Sequence, residues 1–397
     1  NEAHKLDVKL AVFPELVISG YTCNDLFLQD ILLKGSLDGL KKIIKASENL
    51  DMVTIVGLPF LNNFKLYNVA AVVFNGTLLG LVPKQHIPNY SEFYEARHFA
   101  VGPKEVSYID IPELGYELED SGSFVSFGAN LLFKAKNLPE LVIGIDICED
   151  LWMPVPPSCY HAMASATVIA NLSASDETTG KDLYRRELVK NQSARLISGY
   201  IYADAGEGES STDLVFAGHN LIAENGSILS ETKRFENGMT ISEIDLGRLV
   251  SERRRMSTFT INDPETNGYE VAEFEFKNIC DTTLTRHFEK TPFVPNDKND
   301  RDRRCDEILN IQAKGLKKRL EHTHCKSAVI GISGGLDSTL ALLVTAKAFD
   351  MLGLDRSGIC AVTMPCFGTT DRTYQNACIL TEKIGATLKE VPIHEAV

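Results

Sequence analysis

Short apolar runs alternate with amphipathic segments along the first two thirds of the chain. Residues 10–13 (LAVF), 52–58 (MVTIVGL) and 141–147 are apolar runs of the length and composition that predict buried strands. Residues 24–50 carry apolar side chains at helical spacing. An Asn-Gly pair at 75–76 separates two further apolar runs, which predicts a hairpin. This mixture of strands, hairpins and helices predicts a layered α/β sandwich with mixed sheets.

The last part of the chain has a different and more regular pattern. Apolar runs and helical periodicities alternate there, which predicts a βαβαβ unit and thus half of a doubly wound parallel sheet. About 90 residues would leave a sheet edge and an apolar face uncovered, so we expect this domain to be incomplete and to continue after Val397. The predicted elements are a helix at 307–320, strands at 328–332, 358–364 and 387–391, and helices at 336–349 and 372–384.

A polar segment rich in Pro, Asn and Asp separates these two patterns. Such a composition is typical of a linker or a crossover arm between domains. We therefore expect three parts: a first domain at 1–260, a linker or arm at 261–305, and the beginning of a second domain at 306–397.

Composition and charge exclude several classes of function. The net charge of −14 argues against a nucleic-acid-binding surface, which needs clustered Lys and Arg. The basic runs at 253–255 and 317–319 are predicted to be solvated helix faces. No stretch approaches the roughly 20 apolar residues of a membrane span. Nine cysteines without a CxxC pair indicate reduced thiols, and we expect a cytoplasmic protein.

Three reactive residues follow the ends of apolar strands. Glu15 comes after LAVFP, Lys84 after LLGLVP and Cys148 after VIGIDI, and strand C-termini converge on one edge in layered α/β folds. A carboxylate can take the thiol proton and pass it to a leaving amine, while an ammonium can stabilise an oxyanion and lower the thiol pKa. Taken singly, each residue reads as ordinary: a buried Cys, a Glu after Pro and a surface Lys. Together they predict attack on an amide or nitrile carbon.

The stretches FPELVISGY, PKQHIPNYSEFYEARHF and ICEDLWMPVPPS resemble the nitrilase superfamily, over residues from about 10 to 250. The resemblance implies an αββα sandwich and a catalytic triad at Glu15, Lys84 and Cys148, supported by Glu95. It also implies a glutaminase, for which the carboxylate of Glu149 suits the α-amino group of glutamine. We expect Asp150 and Trp152 to serve local structure. Implied glutamine-binding positions are Tyr90, Glu149, Ser175 and Lys181.

The motif GISGGLDST lies between a predicted strand and a predicted helix. Its glycines let the backbone approach an anion, and the N–H groups at the helix start attract phosphate. No Lys follows as a Walker loop requires, and the motif resembles the PP-loop family of ATP pyrophosphatases, which have a Rossmann-like fold of the adenine nucleotide alpha hydrolase type. The resemblance implies ATP with Mg²⁺ at Asp337, and a second nucleotide-facing loop near 364–371. Implied ATP-binding residues are Gly331, Ile332, Ser333, Gly334, Gly335, Leu336, Asp337 and Ser338.

A nitrilase-type amidase ahead of a PP-loop ligase resembles the glutamine-dependent NAD synthetase family. That resemblance implies hydrolysis of glutamine, and use of the ammonia to amidate adenylated deamido-NAD as ATP is cleaved to AMP and pyrophosphate. It also implies a homo-oligomer that acts on small-molecule substrates. We expect this chain alone to keep the glutaminase geometry without completing NAD synthesis. Two alternatives stay open: an amidase fused to a nucleotide-binding regulatory domain, and a binding module with an inactive glutaminase.

Overall fold

The computed structural model describes residues 1–116, 124–279, 282–288, 290–366 and 370–393. The chain divides into two compact units, residues 1–286 and 287–397. Of the expected second nucleotide-facing loop, residues 367–369 lie outside the described residues.

The first unit begins with the short helix α1 (Glu2–Lys5) and contains two mixed sheets. In the first sheet the strand order is β1-β2-β3-β4-β6-β5. The Asn-Gly hairpin is confirmed, since β3 and β4 pair antiparallel across residues 75–76 and both turn residues have a positive φ. The strands are β1 (Leu10–Val12), β2 (Val53–Asn62), β3 (Lys65–Phe74), β4 (Thr77–Pro83), β5 (Ser107–Ile109) and β6 (Val125–Phe127).

The second sheet has seven strands in the order β12-β11-β10-β9-β8-β7-β13. Its centre is parallel, with β8 against β9 and β9 against β10, and this places the carboxyl ends of these strands at one edge. The strands are β7 (Leu131–Ala135), β8 (Val142–Ile147), β9 (Val168–Ser173), β10 (Gly199–Asp204), β11 (Leu221–Glu224), β12 (Ser227–Glu231) and β13 (Glu270–Phe274).

Three apolar layers stack the first unit into the predicted αββα sandwich. The central layer lies between the sheets, where Ile55 and Val72 of the first sheet share a cluster with Ile145 and Ala170 of the second. Helix α2 (Asp30–Ala46) covers the outer face of the first sheet through Leu40. The outer face of the second sheet is covered by α3 (Pro157–Met163) and α4 (Lys181–Leu196). Burial of both faces accounts for the continuous apolar runs in the sequence.

One arginine of the basic run 253–255 is buried, whereas Arg254 and Arg255 are exposed as predicted. Helix α5 (Leu246–Arg255) carries Arg253, which is only 4% exposed. Its guanidinium donates hydrogen bonds to the carbonyl oxygens of Leu196 and Ile197, at the end of α4, and to that of Ala166. The expectation for Arg253 was therefore wrong, because helix C-termini leave carbonyl groups that a fork of N–H donors can satisfy. Burial lowers the pKa of Arg253 to about 10.

The second unit has the predicted βαβαβ order. Its three parallel strands pair in the order β14-β15-β16, and the helices between them share one apolar cluster with the preceding helix. No helix in the described part of the chain is long and apolar enough to cross a membrane. The elements are α6 (Lys298–Thr323), β14 (Ala328–Gly331), α7 (Leu336–Leu352), β15 (Ile359–Thr363), α8 (Asp371–Ile384) and β16 (Thr387–Glu390).

The segment 261–305, expected to be a linker or arm, differs from that expectation at two places. Residues 270–274 form β13, which pairs in parallel with β7 at the edge of the second sheet. Helix α6 already begins at Lys298, where the side chain of Asp297 accepts a hydrogen bond from the N–H of Asp300. The polar composition hid both elements, because an edge strand and a solvated helix start need few apolar residues.

Candidate active site

The three residues of the predicted triad all follow strand ends in the first unit. Glu15 lies three residues after β1, Lys84 directly follows β4, and Cys148 directly follows β8. Cys148 is the first residue of a 3₁₀ turn at Cys148–Trp152 and has a φ of 45°. A left-handed conformation is uncommon for a residue with a side chain, so the surrounding contacts must hold this turn.

Close backbone packing brings Glu15 into the site. Leu16 has a φ of 51° and is fully buried, and its turn lies against β2. A Cβ atom at Gly57 of β2 would lie 2.3 Å from the backbone nitrogen of Leu16. Only glycine leaves room for the turn there.

Lys84, Glu15 and Glu95 form a buried charge cluster. The Nζ atom of Lys84 donates to Oε1 of Glu15 at 2.6 Å and to the two carboxylate oxygens of Glu95 at 2.7 and 2.9 Å. Glu95 also accepts a hydrogen bond of 2.8 Å from the hydroxyl of Tyr21. The structure thus brings three of the four predicted catalytic residues into direct contact.

The charges of this cluster act on the fourth residue, Cys148. Burial, followed by the negative charge of Glu15, raises the pKa of the Cys148 thiol well above its ordinary value. The positive charge of Lys84 acts in the opposite direction. Burial alone would lower the pKa of Lys84, but the charges of Glu15 and Glu95 outweigh it and hold that pKa well above its usual range. A thiol whose pKa is raised in this way needs a base to react.

Asn68, which the sequence analysis did not identify, orients the candidate base. Its side-chain amide donates a hydrogen bond of 2.6 Å to Oε1 of Glu15, and the backbone N–H of Ala174 donates to Oε2 at 3.0 Å. The sequence did hold a signal, because Asn68 is a polar residue inside the apolar run of β3. A buried polar side chain in a strand requires a partner, and here the partner is the carboxylate.

The arrangement fits nucleophilic attack on an amide. The carboxylate of Glu15 can accept the thiol proton of Cys148 and later donate it to the leaving amine. The Nζ atom of Lys84 can stabilise the oxyanion that forms on the carbonyl carbon. Burial strengthens both effects, since charges interact more strongly away from water.

Two of the four predicted glutamine-binding residues, Tyr90 and Glu149, are in contact with each other next to Cys148. The hydroxyl of Tyr90 donates to the carboxylate of Glu149, with both oxygens at 3.0 Å. Burial raises the pKa of Glu149, and the hydrogen bond from Tyr90 opposes this shift. Glu149 is 6% exposed, whereas Tyr90 is 53% exposed and faces solvent. This carboxylate, next in sequence to Cys148, can accept hydrogen bonds from a bound ammonium group.

Lys181 is held by one carboxylate and two aromatic rings. Its Nζ atom lies 2.6 Å from Oδ1 of Asp176, 5.5 Å from the ring centre of Phe93 and 5.7 Å from that of Trp152. Trp152, expected to serve local structure, thus contacts one of the predicted glutamine-binding residues. The ammonium group can donate hydrogen bonds to a carboxylate.

The fourth residue, Ser175, is fixed by a buried network. Its backbone N–H donates to Oδ1 of Asp204 at 2.8 Å, and its hydroxyl lies 3.4 Å from a guanidinium nitrogen of Arg185. Arg185 is fully buried and also bonds to Glu177 at 2.9 Å. Ser175 is thus held in place from β10 and α4 together.

The predicted ATP-binding loop lies in the second unit. Gly331 ends β14, the buried Ile332 follows, and α7 begins at Leu336. The hydroxyls of Ser333 and Ser338 are 3.2 Å apart, and the N–H of Gly335 donates to the Ser333 hydroxyl at 3.3 Å. These contacts close a compact loop in front of a helix N-terminus, which favours an anion.

Gly334 is required by the packing of this loop. It has a φ of 76°, and a Cβ atom there would lie 1.9 Å from the carbonyl oxygen of Thr373 in α8. Any side chain would push α8 away or open the loop.

Asp337 is suited to supply one of several ligands to a Mg²⁺ ion. Its side chain is exposed in the first turn of α7, so its carboxylate is free to meet a cation. Across the described residues, no cluster of three or more His, Cys, Asp or Glu side chains could hold a metal ion by itself. Mg²⁺ is commonly bound by one or two carboxylates together with substrate phosphates, and Asp337 with Ser338 would match that pattern.

Two protein-family models match the chain, one over its first part and one over its last part, in the order predicted from the sequence. The carbon–nitrogen hydrolase family model matches residues 1–254, and the NAD synthase family model matches residues 308–397. The first match contains Glu15, Lys84, Glu95 and Cys148, and the second contains the whole loop from Gly331 to Ser338.

Similar proteins of known name extend over both units. The chain is 42% identical over 400 residues to glutamine-dependent NAD(+) synthetase of Mycobacterium tuberculosis, covering 98% of this chain and 57% of that protein. It is 29% identical over 392 residues to the enzyme of that name from Thermotoga maritima, covering 97% and 59%. The chain thus spans less than two thirds of the length of these relatives.

Solved structures support the fold over the full length of the chain. The crystal structure of a glutamine-dependent NAD(+) synthetase from Cytophaga hutchinsonii matches with a TM-score of 0.52 and 22% identity, covering 100% of this chain and 61% of that one. The synthetase of Acinetobacter baumannii, solved in complex with ADP, matches with a TM-score of 0.50 and 22% identity, covering 100% and 60%.

Proposed function

The chain belongs to the carbon–nitrogen hydrolase family, and from that premise we propose that it is the glutaminase of a glutamine-dependent NAD synthetase. Cys148 attacks the side-chain amide of glutamine, and ammonia leaves. The ammonia then amidates deamido-NAD that the second unit helps to adenylate with ATP. The observation that carries the proposal is the contact of Lys84 with Glu15 and Glu95 beside Cys148.

The first half of the reaction follows from the buried cluster. Glu15, oriented by Asn68 and Ala174, accepts the proton of the Cys148 thiol as sulfur bonds to the carbonyl carbon. Lys84 stabilises the oxyanion, and Glu15 returns the proton to the departing nitrogen, which leaves as ammonia. Water then hydrolyses the thioester to glutamate, with Glu15 again as base.

Glutamine is the amide that the neighbouring charges suit. Glu149 would bind the α-amino group and Lys181 the α-carboxylate, while Tyr90 and Ser175 would help to position the substrate. A simple aliphatic amide has no groups for this pair of opposite charges. The carboxylate and the ammonium therefore supply the preference for an amino acid amide.

In the second unit, the loop from Gly331 to Ser338 would hold the phosphates of ATP. Ser333, Gly334, Gly335 and Ser338 would surround the leaving pyrophosphate, and Asp337 would contribute to Mg²⁺ binding. Bound Mg²⁺ supplies charge neutralisation to the phosphates. Relatives match both units together, which disfavours a hydrolase joined to an unrelated nucleotide-binding regulatory domain.

We also propose a cytoplasmic homo-oligomer. Seven cysteines in the described part of the chain form no disulfide, namely Cys23, Cys148, Cys159, Cys305, Cys325, Cys360 and Cys378, which suits a reducing compartment. The oligomer rests on the family resemblance, and light scattering of the purified protein tests it.

Ammonia release from glutamine tests the proposed function. The wild-type chain should release ammonia, and Cys148→Ala should not. Glu15→Gln should lower the rate by roughly 10²–10⁴, the usual contribution of a general base. Glu140→Gln changes an exposed carboxylate of the same unit and should leave the rate unchanged. Equal release by wild type and Cys148→Ala would refute the proposal.

A further inference from the structure

One carboxylate connects the segment after Lys84 with the turn that carries Cys148. Oδ1 of Asp150 accepts a hydrogen bond from the backbone N–H of His86 at 2.9 Å and lies 2.8 Å from Nδ1 of the His86 ring. Its second oxygen, Oδ2, accepts from the backbone N–H of Ile147 at 3.0 Å. Asp150 is 2% exposed, so these three contacts satisfy an otherwise costly buried charge.

The hydrogen bond from the N–H of Ile147 to Asp150 fixes the backbone just before the turn that carries Cys148. Ile147 ends β8, and Cys148 follows in the left-handed conformation with a φ of 45°. Asp150 lies within the same turn, two residues after Cys148, and its hydrogen bond to Ile147 holds the turn closed around Cys148. Movement of this carboxylate would release the backbone that aims the sulfur atom.

His86, the partner of Asp150 in this contact, lies in the segment that carries Lys84. The backbone N–H of Lys84 donates to the carbonyl of Asn68, and its carbonyl accepts from Gly102, both at 2.9 Å. His86 follows two residues later, so its position is tied to the anchored Lys84. The His86–Asp150 contact thus joins the two segments whose side chains must meet at the amide carbon.

The ring of His86 also reaches solvent. Its side chain is 39% exposed and lines a cavity of ≈ 380 Å³, together with Lys104 and Tyr160. The hydrogen bond with Asp150 raises the pKa of His86 above its ordinary value, burial opposes this shift, and Asp146 and Lys104 act on it with opposite signs. Because its side chain is partly exposed, His86 can be substituted without opening the apolar core.

We propose that His86 is a positioning residue, which acts through Asp150 to hold the Cys148 turn against the segment that follows Lys84. His86 does not touch the reacting atoms. It keeps the sulfur at the distance and angle from which Lys84 and Glu15 act on it. This inference rests on the proposed role of Cys148, but its test is independent of glutamine turnover.

The test measures how fast iodoacetamide alkylates Cys148, followed by peptide mass spectrometry with the exposed Cys305 as an internal reference. His86→Phe keeps an aromatic ring but removes both ring nitrogens, including Nδ1, and it should slow alkylation of Cys148 by about tenfold, because a small misplacement of reacting groups is costly. His86→Asn places an amide N–H where Nδ1 was, and it should react within about threefold of wild type. His322→Phe, on the exposed part of α6, is the matched control.

Three results would overturn the proposal: a His86→Phe protein that reacts like wild type, a His86→Asn protein that reacts as slowly as His86→Phe, or an equal slowing at Cys305. Failure of the glutaminase itself is a separate outcome. In that case the wild-type protein would release no ammonia from glutamine, but alkylation of Cys148 would still be slower in His86→Phe than in wild type.

Discussion

The Nζ atom of Lys84 lies 2.6 Å from Oε1 of Glu15, and neither side chain is exposed to solvent. Glu95 completes this cluster from the other side of the ammonium, with its nearest oxygen at 2.7 Å. Two carboxylates share one buried cation here. Loss of Lys84 should therefore affect both the chemistry of the site and the stability of the first unit.

Lys84→Met should destabilise the first unit as well as abolish glutamine hydrolysis. The change leaves Glu15 and Glu95 buried without their cation, and breaking such a pair costs about 3–5 kcal/mol. Urea unfolding of the first unit measures the loss. Lys136→Met removes an exposed lysine that lies 3.6 Å from Glu273, and should cost about 1 kcal/mol or less. Equal losses in the two variants would contradict the role of the cluster.

Lys181→Ala should weaken glutamine binding more than it slows the chemical step. The ammonium of Lys181 is held by Asp176, Phe93 and Trp152, and it makes none of the hydrogen bonds of the charge cluster at Lys84. Loss of one charge-assisted hydrogen bond corresponds to about 1.5–3 kcal/mol, and so to an increase of KM by about 10- to 150-fold. Steady-state kinetics of ammonia release measure it. Lys190→Ala, in the same helix, is the control, and a fall in kcat at constant KM would contradict the assignment.

Asp146→Asn should remove part of the pH dependence of stability. Burial, followed by the charge of Asp150, raises the pKa of Asp146 to about 7. The folded protein then holds a proton that the unfolded chain releases near pH 4, so this group's contribution to stability falls as pH rises from about 4 to 7. Unfolding free energies at pH 5.5 and 8 should differ by about 2 kcal/mol more in wild type than in the variant. An identical pH dependence would contradict the raised pKa.

Gly334→Ala should prevent ATP binding without disturbing glutamine hydrolysis. The added Cβ atom would lie 1.9 Å from the carbonyl oxygen of Thr373, at a residue with positive φ. Titration calorimetry with ATP and Mg²⁺ measures the effect. Gly353→Ala is matched, because Gly353 also has a positive φ but has open space around it. ATP binding by Gly334→Ala at wild-type affinity would exclude this loop as the nucleotide site.

Local patterns in the sequence predicted most of the fold. Asn75 and Gly76 determine a hairpin because both turn residues need positive φ, and the order of apolar runs after residue 325 predicted the parallel strands of the second unit. Strand β13 was not predicted. Its parallel pairing with β7 joins residues more than a hundred positions apart, and its composition is that of an edge strand.

The candidate site was predictable where a strand end carries a reactive side chain. Glu15, Lys84 and Cys148 meet that rule, and the resemblance to the nitrilase superfamily supplied Glu95 and the glutamine-binding residues. Asn68 was overlooked because a single polar residue in an apolar run has many possible partners. The contact of His86 with Asp150 spans 64 positions and depends on the packing of two loops, which no local pattern records.

The most direct test of the account is the mass of the protein during turnover with glutamine. Acid quenching should trap an adduct equal to glutamine less ammonia, and digestion should locate it on Cys148. Lys84→Met should show little adduct, since its oxyanion is not stabilised. Ammonia release without any adduct on Cys148, or an adduct on another cysteine, would contradict the central claim that Cys148 is the nucleophile.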